Sequence, residues 1–499
     1  MRKYRKDVAL LLEAKAHWES MAGYRSCRER CKRYCYGDQW GDYVQMDGRW
    51  VREEQYIRSQ GSEPLKNNLI RRLVKQVLGL YRSESHPPKV SSSHKAASRL
   101  MERMLSEIHL ANCSDEIDSR AFEEFLVSGM VVQRKSYGVR RGLSGCWTDN
   151  VSPDNFFVDR EMCDCRGWDV ECLGEIHDMC FEKICEEFAH TRGDIRALAA
   201  VYRLEDYGDR LDEMLTAAGC NAREGEPFLC PHSERLCRVY EVWRLERRAG
   251  LLSHDRAAGR LSWHSADAGG GEGVWAVASS WHYYFLTPFG DVLAEGVSPY
   301  RHLGHPYVFK AYPFVDGEIH SFVADVIDQQ RYTNRLITLY DWVMRSSAKG
   351  VLIVPEECVP EGYTVDDVAR QWSRFNGVIP VRTKNGALLP QQVSANAVNV
   401  GINELLQTQL GLMEDISGVT GALQGKLSAP SSSGKLYEQQ TKNATLSQLD
   451  LLDTFRHFIA EGVRKEVSVI QQYCIPEELG QSPSEEVVSA FREAHFTVR

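Results

Sequence analysis

From Ile319 to Lys349 the chain contains no glycine or proline and sets Val323, Ile327, Ile337, Tyr340 and Met344 mostly three or four residues apart. That spacing predicts one helix of about 30 residues, roughly 45 Å long. Residues 350–395 then read as a small insert, with strand-like VLIVP and GVIPV around a short helical VDDVARQWSRF. A second helix is predicted over about 399–416, a glycine- and serine-rich loop over 417–435, and a long amphipathic helix over 436–473. The order is helix, small insert, helix, glycine-serine loop, helix.

The rest of the chain supplies the mass around it. At 499 residues the chain exceeds one hydrophobic core and suggests about three structural units. Residues 1–36 read as a helix with Cys27, Cys31 and Cys35 on one face. Buried thiols are the commoner use of such a face, since tetrahedral zinc needs ligands from several directions. Apolar residues Leu69, Leu73, Val77 and Leu80 mark a helix over 67–82. A further helical stretch is predicted over 96–132, ending in AFEEFLVSGMVV. From Leu236 to Pro313 the pattern changes to aromatic and β-branched runs with a turn at Pro288, Gly290 and Asp291, which predicts strands. The fold class is therefore α+β, mainly helical.

The formal net charge of −9 argues against a surface that coats nucleic acid by bulk attraction. Fifteen cysteines behind a start lacking a signal-peptide pattern suggest a reducing compartment and free thiols. No run of 18 apolar residues is present, so no membrane-spanning segment is expected.

Chemistry-bearing motifs are sparse. The loop SGVTGALQGKLSAPSSSGKL resembles a phosphate-binding loop only superficially. Gly425-Lys426 has Thr420 and Leu427 where a first glycine and a hydroxyl are needed, and Gly434-Lys435 has Ala429 and Leu436. Lys426 and Lys435 nonetheless offer sequence-blind charge to phosphates, with Ser428, Ser431, Ser432 and Ser433 as further donors. No catalytic residue, metal or cofactor is assigned. The cysteine-rich set Cys163, Cys165, Cys172, His177, Cys180 and Cys185 matches no common zinc spacing. His302 and His305 beside a proline read as packing residues. Asp325 and Asp328 fit an acidic stripe better than an ion site. Asp154, Asp159, Asp164 and Asp169 recur every five residues, a period that fits neither helix nor strand and places them in turns. A metal-dependent nucleic-acid enzyme using Asp154 and Asp159 is the rival reading these residues leave, and it lacks a second acidic cluster or a lysine at a recognisable spacing.

Several phrases together resemble the portal proteins of tailed bacteriophages, closest to the short-tailed type. They are YGDQW near Gly37, NNLIRRLVKQVLGLYRSESHPPKV, VSPDNFFVD, TPFGDVLAEGVSPY followed by HPYVFKAYPFVDGE, DVIDQQRYTNRLIT, and ISGVTGALQG with SSSGKLYEQQT. They run in the family's order from about residue 30 to about 470. The resemblance implies a portal fold closing into a homo-oligomeric ring, typically a dodecamer, at one capsid vertex. It implies a wing at 1–318, a first stem helix at 319–349, a clip at 350–395 and a second stem helix at 396–416. The tunnel loop would follow at 417–435, a crown helix at 436–473 and a tail at 474–499. Double-stranded DNA would pass through the channel during packaging and ejection. Lys426, Ser428, Ser431, Ser432, Ser433 and Lys435 would touch it in the tunnel loop, with Asp325, Asp328, Gln329 and Asn334 along the stem. Implied partners are terminase, major capsid or scaffold protein, and a tail adaptor; the implied place is the virion, after assembly in the host bacterial cytoplasm. Another head–tail ring component, such as a head-completion adaptor, is the alternative within the same class, and such proteins are usually much shorter.

Overall fold

A computed structural model describes residues 4–84, 88–202, 227–233, 235–255, 260–265, 274–315, 317–349, 351–355, 358–360, 362–373, 379, 381–382, 391–393, 401–419, 421, 445–479 and 483–498. Along the chain the elements are α1 (Val8–Ser20), α2 (Ala22–Tyr36), β1 (Tyr43–Met46), β2 (Arg49–Arg52), α3 (Glu53–Ser59), α4 (Leu69–Glu84), β3 (Val90–Ser91), α5 (Lys95–Asn112) and α6 (Ser114–Ser128). Then come β4 (Met130–Arg140), β5 (Leu143–Asn150), β6 (Phe156–Val158), β7 (Cys172–Met179), α7 (Phe181–Phe188), α8 (Arg192–Tyr202), β8 (Cys237–Asp255), β9 (Arg260–Ser265), β10 (Val274–Leu286), β11 (Val292–Val297) and β12 (Tyr307–Ala311). The remainder is α9 (Ile327–Lys349), β13 (Val351–Ile353), α10 (Val365–Ser373), β14 (Gln391–Val393), α11 (Ile402–Ser417), α12 (Leu449–Tyr473), α13 (Glu485–Glu493) and β15 (Thr497–Val498). The architecture is α+β.

The chain forms two compact units rather than three. The larger joins residues 1–32, 74–324 and 427–499; the smaller joins 33–73 and 325–426.

In the larger unit the antiparallel sheet β11-β10-β8-β7-β6, with β9 paired to β8, carries the main core. Leu10, Leu11 and Ala14 of α1 pack there with Phe157, Ile176, Tyr240, Val242 and Leu286, and Ile184 of α7 and Leu198 of α8 join the same cluster. A three-stranded sheet β12-β4-β5 lies beside a second cluster around Met130, Val132, Phe156, Trp243 and Tyr307. Helices α5, α12 and α13 share a third core through Leu100, Met104, Val467, Ile470 and Phe491, closed by the pairing of β15 with β3. Burial of such side chains contributes about 1.5–3 kcal/mol each.

Two sequence expectations change here. The helix expected over 1–36 is two helices, α1 and α2, broken at Met21. The helical run expected over 96–132 ends at Ser128. Gly129 takes φ +75° as the C-cap, and MVVQRKS continues as β4. Only glycine enters that conformation freely, and here a Cβ would also stand 2.9 Å from Ile319 Cγ2 and 3.0 Å from the His320 carbonyl oxygen.

Charged side chains tie α5, β4, β5 and α12 together. Lys135 Nζ, on β4, donates to Glu466 Oε1 of α12 at 2.6 Å and to Thr148 Oγ1 of β5 at 3.0 Å, and Glu466 Oε2 lies 2.9 Å from His109 Nε2 of α5. Burial works against ionisation of Glu466, but the Lys135 charge and the His109 and Lys135 hydrogen bonds outweigh it and hold this carboxyl at about 2.

Candidate functional site

In the smaller unit α9 and α11 pack together, and between them in sequence β13 pairs antiparallel with β14 around α10. The long helix is shorter than its pattern suggested. Ala324–Val326 is a 3-10 turn, capped where the Ser321 hydroxyl accepts from the Ala324 amide at 2.9 Å, and α9 proper has 23 residues.

One stripe of α9 reads backbone. Gln330, Asn334 and Thr338, at i, i+4 and i+8, are all buried and face residues 65–70. Thr338 Oγ1 accepts from the Leu65 amide at 3.2 Å, Asn334 Oδ1 from the Asn67 amide at 3.2 Å, and Gln330 Oε1 from the Leu69 and Ile70 amides at 2.9 and 3.3 Å. Gln330 Nε2 donates to the Asn67 carbonyl at 2.7 Å, and Asn334 Nδ2 donates to Gln39 Oε1 at 2.7 Å. The amides that open α4 thus find acceptors on another helix, in addition to Asn68 Oδ1, which takes the Arg71 amide at 3.0 Å. Glu53, buried at the start of α3, receives Arg335 Nε at 3.0 Å and Arg331 Nη2 at 3.3 Å.

Tyr332, Leu339, Tyr340, Trp342 and Met344 of α9 are 43–52% exposed, as are Leu405, Leu412 and Ile416 of α11 at 40–45%. A cleft of about 320 Å3 opens between α9 and the 40–62 segment, lined by Trp40, Val44, Tyr56, Ile57, Leu339 and Trp342 with Arg335 above them. Large apolar groups left open to water in such number are what an interaction surface would cover.

The predicted stem residues divide. Asp325 and Asp328 are exposed, and Asp328 sits in the first turn of α9, where the helix dipole favours a carboxylate. Gln329 is half-buried and its Oε1 has no hydrogen-bond partner. Asn334 is fully buried in the contacts just described, so its side chain holds the 33–73 segment and has no surface to turn toward a channel. Lys426, Ser428, Ser431, Ser432, Ser433 and Lys435 lie outside the described residues.

The other candidates are engaged elsewhere. Asp154 pairs with Arg28, whose Nε also meets Glu124 Oε1 at 2.7 Å. Asp169 Oδ2 accepts the Cys163 and Asp164 amides at 2.6 and 2.8 Å, and Asp164 pairs with Arg166 at 2.8 Å. Asp159 accepts the Glu161 amide at 3.1 Å. These aspartates organise turns, as their five-residue spacing suggested. His302 accepts the Gly304 amide at Nδ1, and burial together with Lys465 brings it down to about 4; burial against the Trp281 ring, with Lys465 nearby, pushes His305 well below 6.5. Both are neutral packing groups. Of Cys27, Cys31 and Cys35, the last two are buried.

Among the described residues two groups bring three metal-capable side chains together: Glu13, His17 and Cys172, and Glu175, His177 and Glu241. The cysteine-rich set of 163–185 is split between them, Cys172 going to one and His177 to the other, while Cys163, Cys165 and Cys180 are exposed. The second group is filled by a cation already. Arg134 Nη1 stands 3.5 Å from Glu175 and 3.6 Å from Glu241, and His177 Nε2 lies 2.9 Å from Glu241 Oε2. Burial opposes charge on Glu241, but His177 and Arg134 outweigh it and lower this carboxyl to about 2. Most of these partners are brought together from about 40 to 160 residues apart in sequence, beyond any spacing rule.

No helix among the described residues is long and apolar enough to cross a membrane. A family model described as phage P22-like portal protein matches residues 13–478. No curated protein matches the chain.

Proposed function

From a chain that belongs to the phage P22-like portal protein family, a structural component of the virion, we propose that copies close into a ring, twelve in number as is typical of portals, at one vertex of the capsid. Double-stranded DNA passes through that ring during packaging and ejection, and terminase, capsid or scaffold protein and a tail adaptor dock on it. The observation that carries this reading is the apolar surface of α9 and α11, eight large side chains each at least 40% exposed on two helices of the smaller unit. A heterologous contact repeated by rotation covers such a surface in every subunit at once and closes without free ends.

In this reading residues 319–349 and 396–416 are the stem, 350–395 the clip, 417–435 the tunnel loop and 436–473 the crown, with 1–318 as the wing. Asp325 and Asp328, exposed where α9 begins, suit a lumen that must not grip its cargo, because each phosphate neutralised by a fixed cation adds salt-dependent affinity that slows translocation. Lys426 and Lys435, with the serines at 428 and 431–433, provide transient contacts to passing phosphates.

Mass measurement and negative-stain microscopy of the purified protein, alone and with scaffold, test the ring. A closed oligomer that Trp342→Glu and Leu339→Glu convert to folded monomers supports it; a stable monomer across concentration and salt, with scaffold present, refutes it. Replacing Lys426 and Lys435 by Ala should leave ring and fold intact while altering packaging or DNA retention. Loss of folding instead would make that loop a structural element.

A further inference from the structure

Helix α1 places Glu13 and His17 one turn apart on the same face. Beneath that face lies Cys172, the first residue of β7, 2% exposed. A carboxylate oxygen, a ring nitrogen and the sulfur all fall within 4.8 Å of one another. We propose that Glu13, His17 and Cys172 bind a divalent transition-metal ion of the zinc class and thereby fasten α1 to the central sheet.

The donor set suits that ion. One thiolate, one imidazole and one carboxylate are zinc's usual ligands, and a tetrahedral ion with bonds of about 2.0–2.3 Å holds its donors roughly 3.5 Å apart, a closure that side-chain rotation supplies from 4.8 Å. The fourth position falls to water. Cys172 contributes a sulfur with no hydrogen-bond partner among the described residues; burial and the neighbouring Glu13 raise its thiol to about 12, so a bound ion must displace that proton. Behind the imidazole stands an orienting carboxylate. His17 Nδ1 lies 3.9 Å from Asp159 Oδ1 and accepts the Arg160 amide at 3.2 Å. Accepting that amide leaves the ring proton on Nε2, so binding a metal through Nε2 moves the proton to Nδ1, releases the Arg160 amide and lets Asp159 take up the Nδ1 proton as acceptor. One competitor is present, since Arg244 Nη1 reaches Glu13 Oε2 at 3.4 Å. That guanidinium is half-exposed and held by one contact, unlike Arg134 in the other group, which is packed among Glu175, Glu241 and Asp149. An ion can swing Arg244 aside; it cannot evict Arg134.

The full-length protein, reduced and stripped with chelator, is titrated with Co2+ while the thiolate-to-cobalt charge-transfer band is followed, then with Zn2+ in competition. One equivalent of Co2+ should produce the band and Zn2+ should bleach it. Cys172→Ser and His17→Gln should abolish it, Asp159→Asn should weaken binding by about 10–100-fold, and Cys27→Ser should leave it unchanged. Glu13→Gln, at a side chain 35% exposed, gives a variant whose folding is not at stake and should also lose the tight equivalent. Metal should further protect α1 from proteolysis in the parent but not in Glu13→Gln. A parent without the band, or a band that survives both Cys172→Ser and Glu13→Gln, overturns the proposal. It would do so without touching the portal reading, which ring formation tests separately.

Discussion

Glu466→Gln is the perturbation whose size the geometry fixes best. The side chain keeps its volume and an acceptor oxygen but loses its charge, leaving Lys135, 4% exposed, with Thr148 Oγ1 at 3.0 Å as its hydrogen-bond partner. Removing one member of a buried ion pair costs about 3–5 kcal/mol, because the survivor stays desolvated without its counter-charge. Replacing both, as Lys135→Met with Glu466→Leu, removes the stranded charge and leaves only Thr148 and His109 short of a partner, at about 1–3 kcal/mol. The double variant should therefore be more stable than Glu466→Gln alone. Amide hydrogen exchange in α12 and β4 reads this locally, in a chain too large for one global transition. If Glu466→Gln loses less than about 1 kcal/mol of protection, or the double change costs the sum of the singles, the pair is more hydrated than its burial implies and the reasoning fails.

His109 adds a pH dependence to the same contact. Burial disfavours its charge, yet the Glu466 hydrogen bond and charge outweigh that and raise its pKa above 6.5. Its contribution is therefore full below about pH 6.5 and lost as pH rises through the folded value; thermal melts from pH 6 to 9 should show the decline, and His109→Gln should flatten it. Gly129→Ala should lower the melting temperature more than Gly142→Ala. Both glycines have positive φ, at +75° and +79°, so each alanine carries roughly 1–2 kcal/mol of backbone strain, but only at 129 does the added methyl strike Ile319 and the His320 carbonyl. Gln330→Leu strips buried acceptors from the Leu69 and Ile70 amides, at about 1–3 kcal/mol per orphaned group. Exchange should accelerate at residues 67–73, and unchanged protection there would mean the α4 start is held by Asn68 alone.

What the sequence disclosed follows from which interactions are local. Helical periodicity located α9, free of glycine and proline, and α12, free of proline, because 3.6-residue spacing is written along one segment, and the β-rich stretch from β8 to β12 was visible in its aromatic and β-branched composition. The strand β4 was hidden because MVV continues an apolar run that serves a buried helix equally well; Gly129 alone marks the change, and its role depends on a neighbour at Ile319. Asn334 looked like a polar residue on an accessible helix face. It is buried because residues 65–70, some 270 positions earlier, present unpaired amides to it. Cys172 was grouped with the cysteines nearest in sequence, whereas the side chains that meet it come from α1, about 155 residues upstream.

The pairing of β15 with β3 has a consequence for the timing of biosynthesis. Thr497 and Val498 bond to Ser91 and Val90, and α12 and α13 complete the core that α5 begins. At about 5–20 residues per second a ribosome takes roughly 20 to 80 seconds to travel from one partner of that small sheet to the other. Throughout that interval Leu100, Met104 and Leu105 have no α12 or α13 to pack against, and the larger unit waits with an open seam. A chain broken off before residue 450 never closes it. Such a product leaves Leu100, Met104 and Leu105 without their partners, so the last residues made are the ones that finish this core.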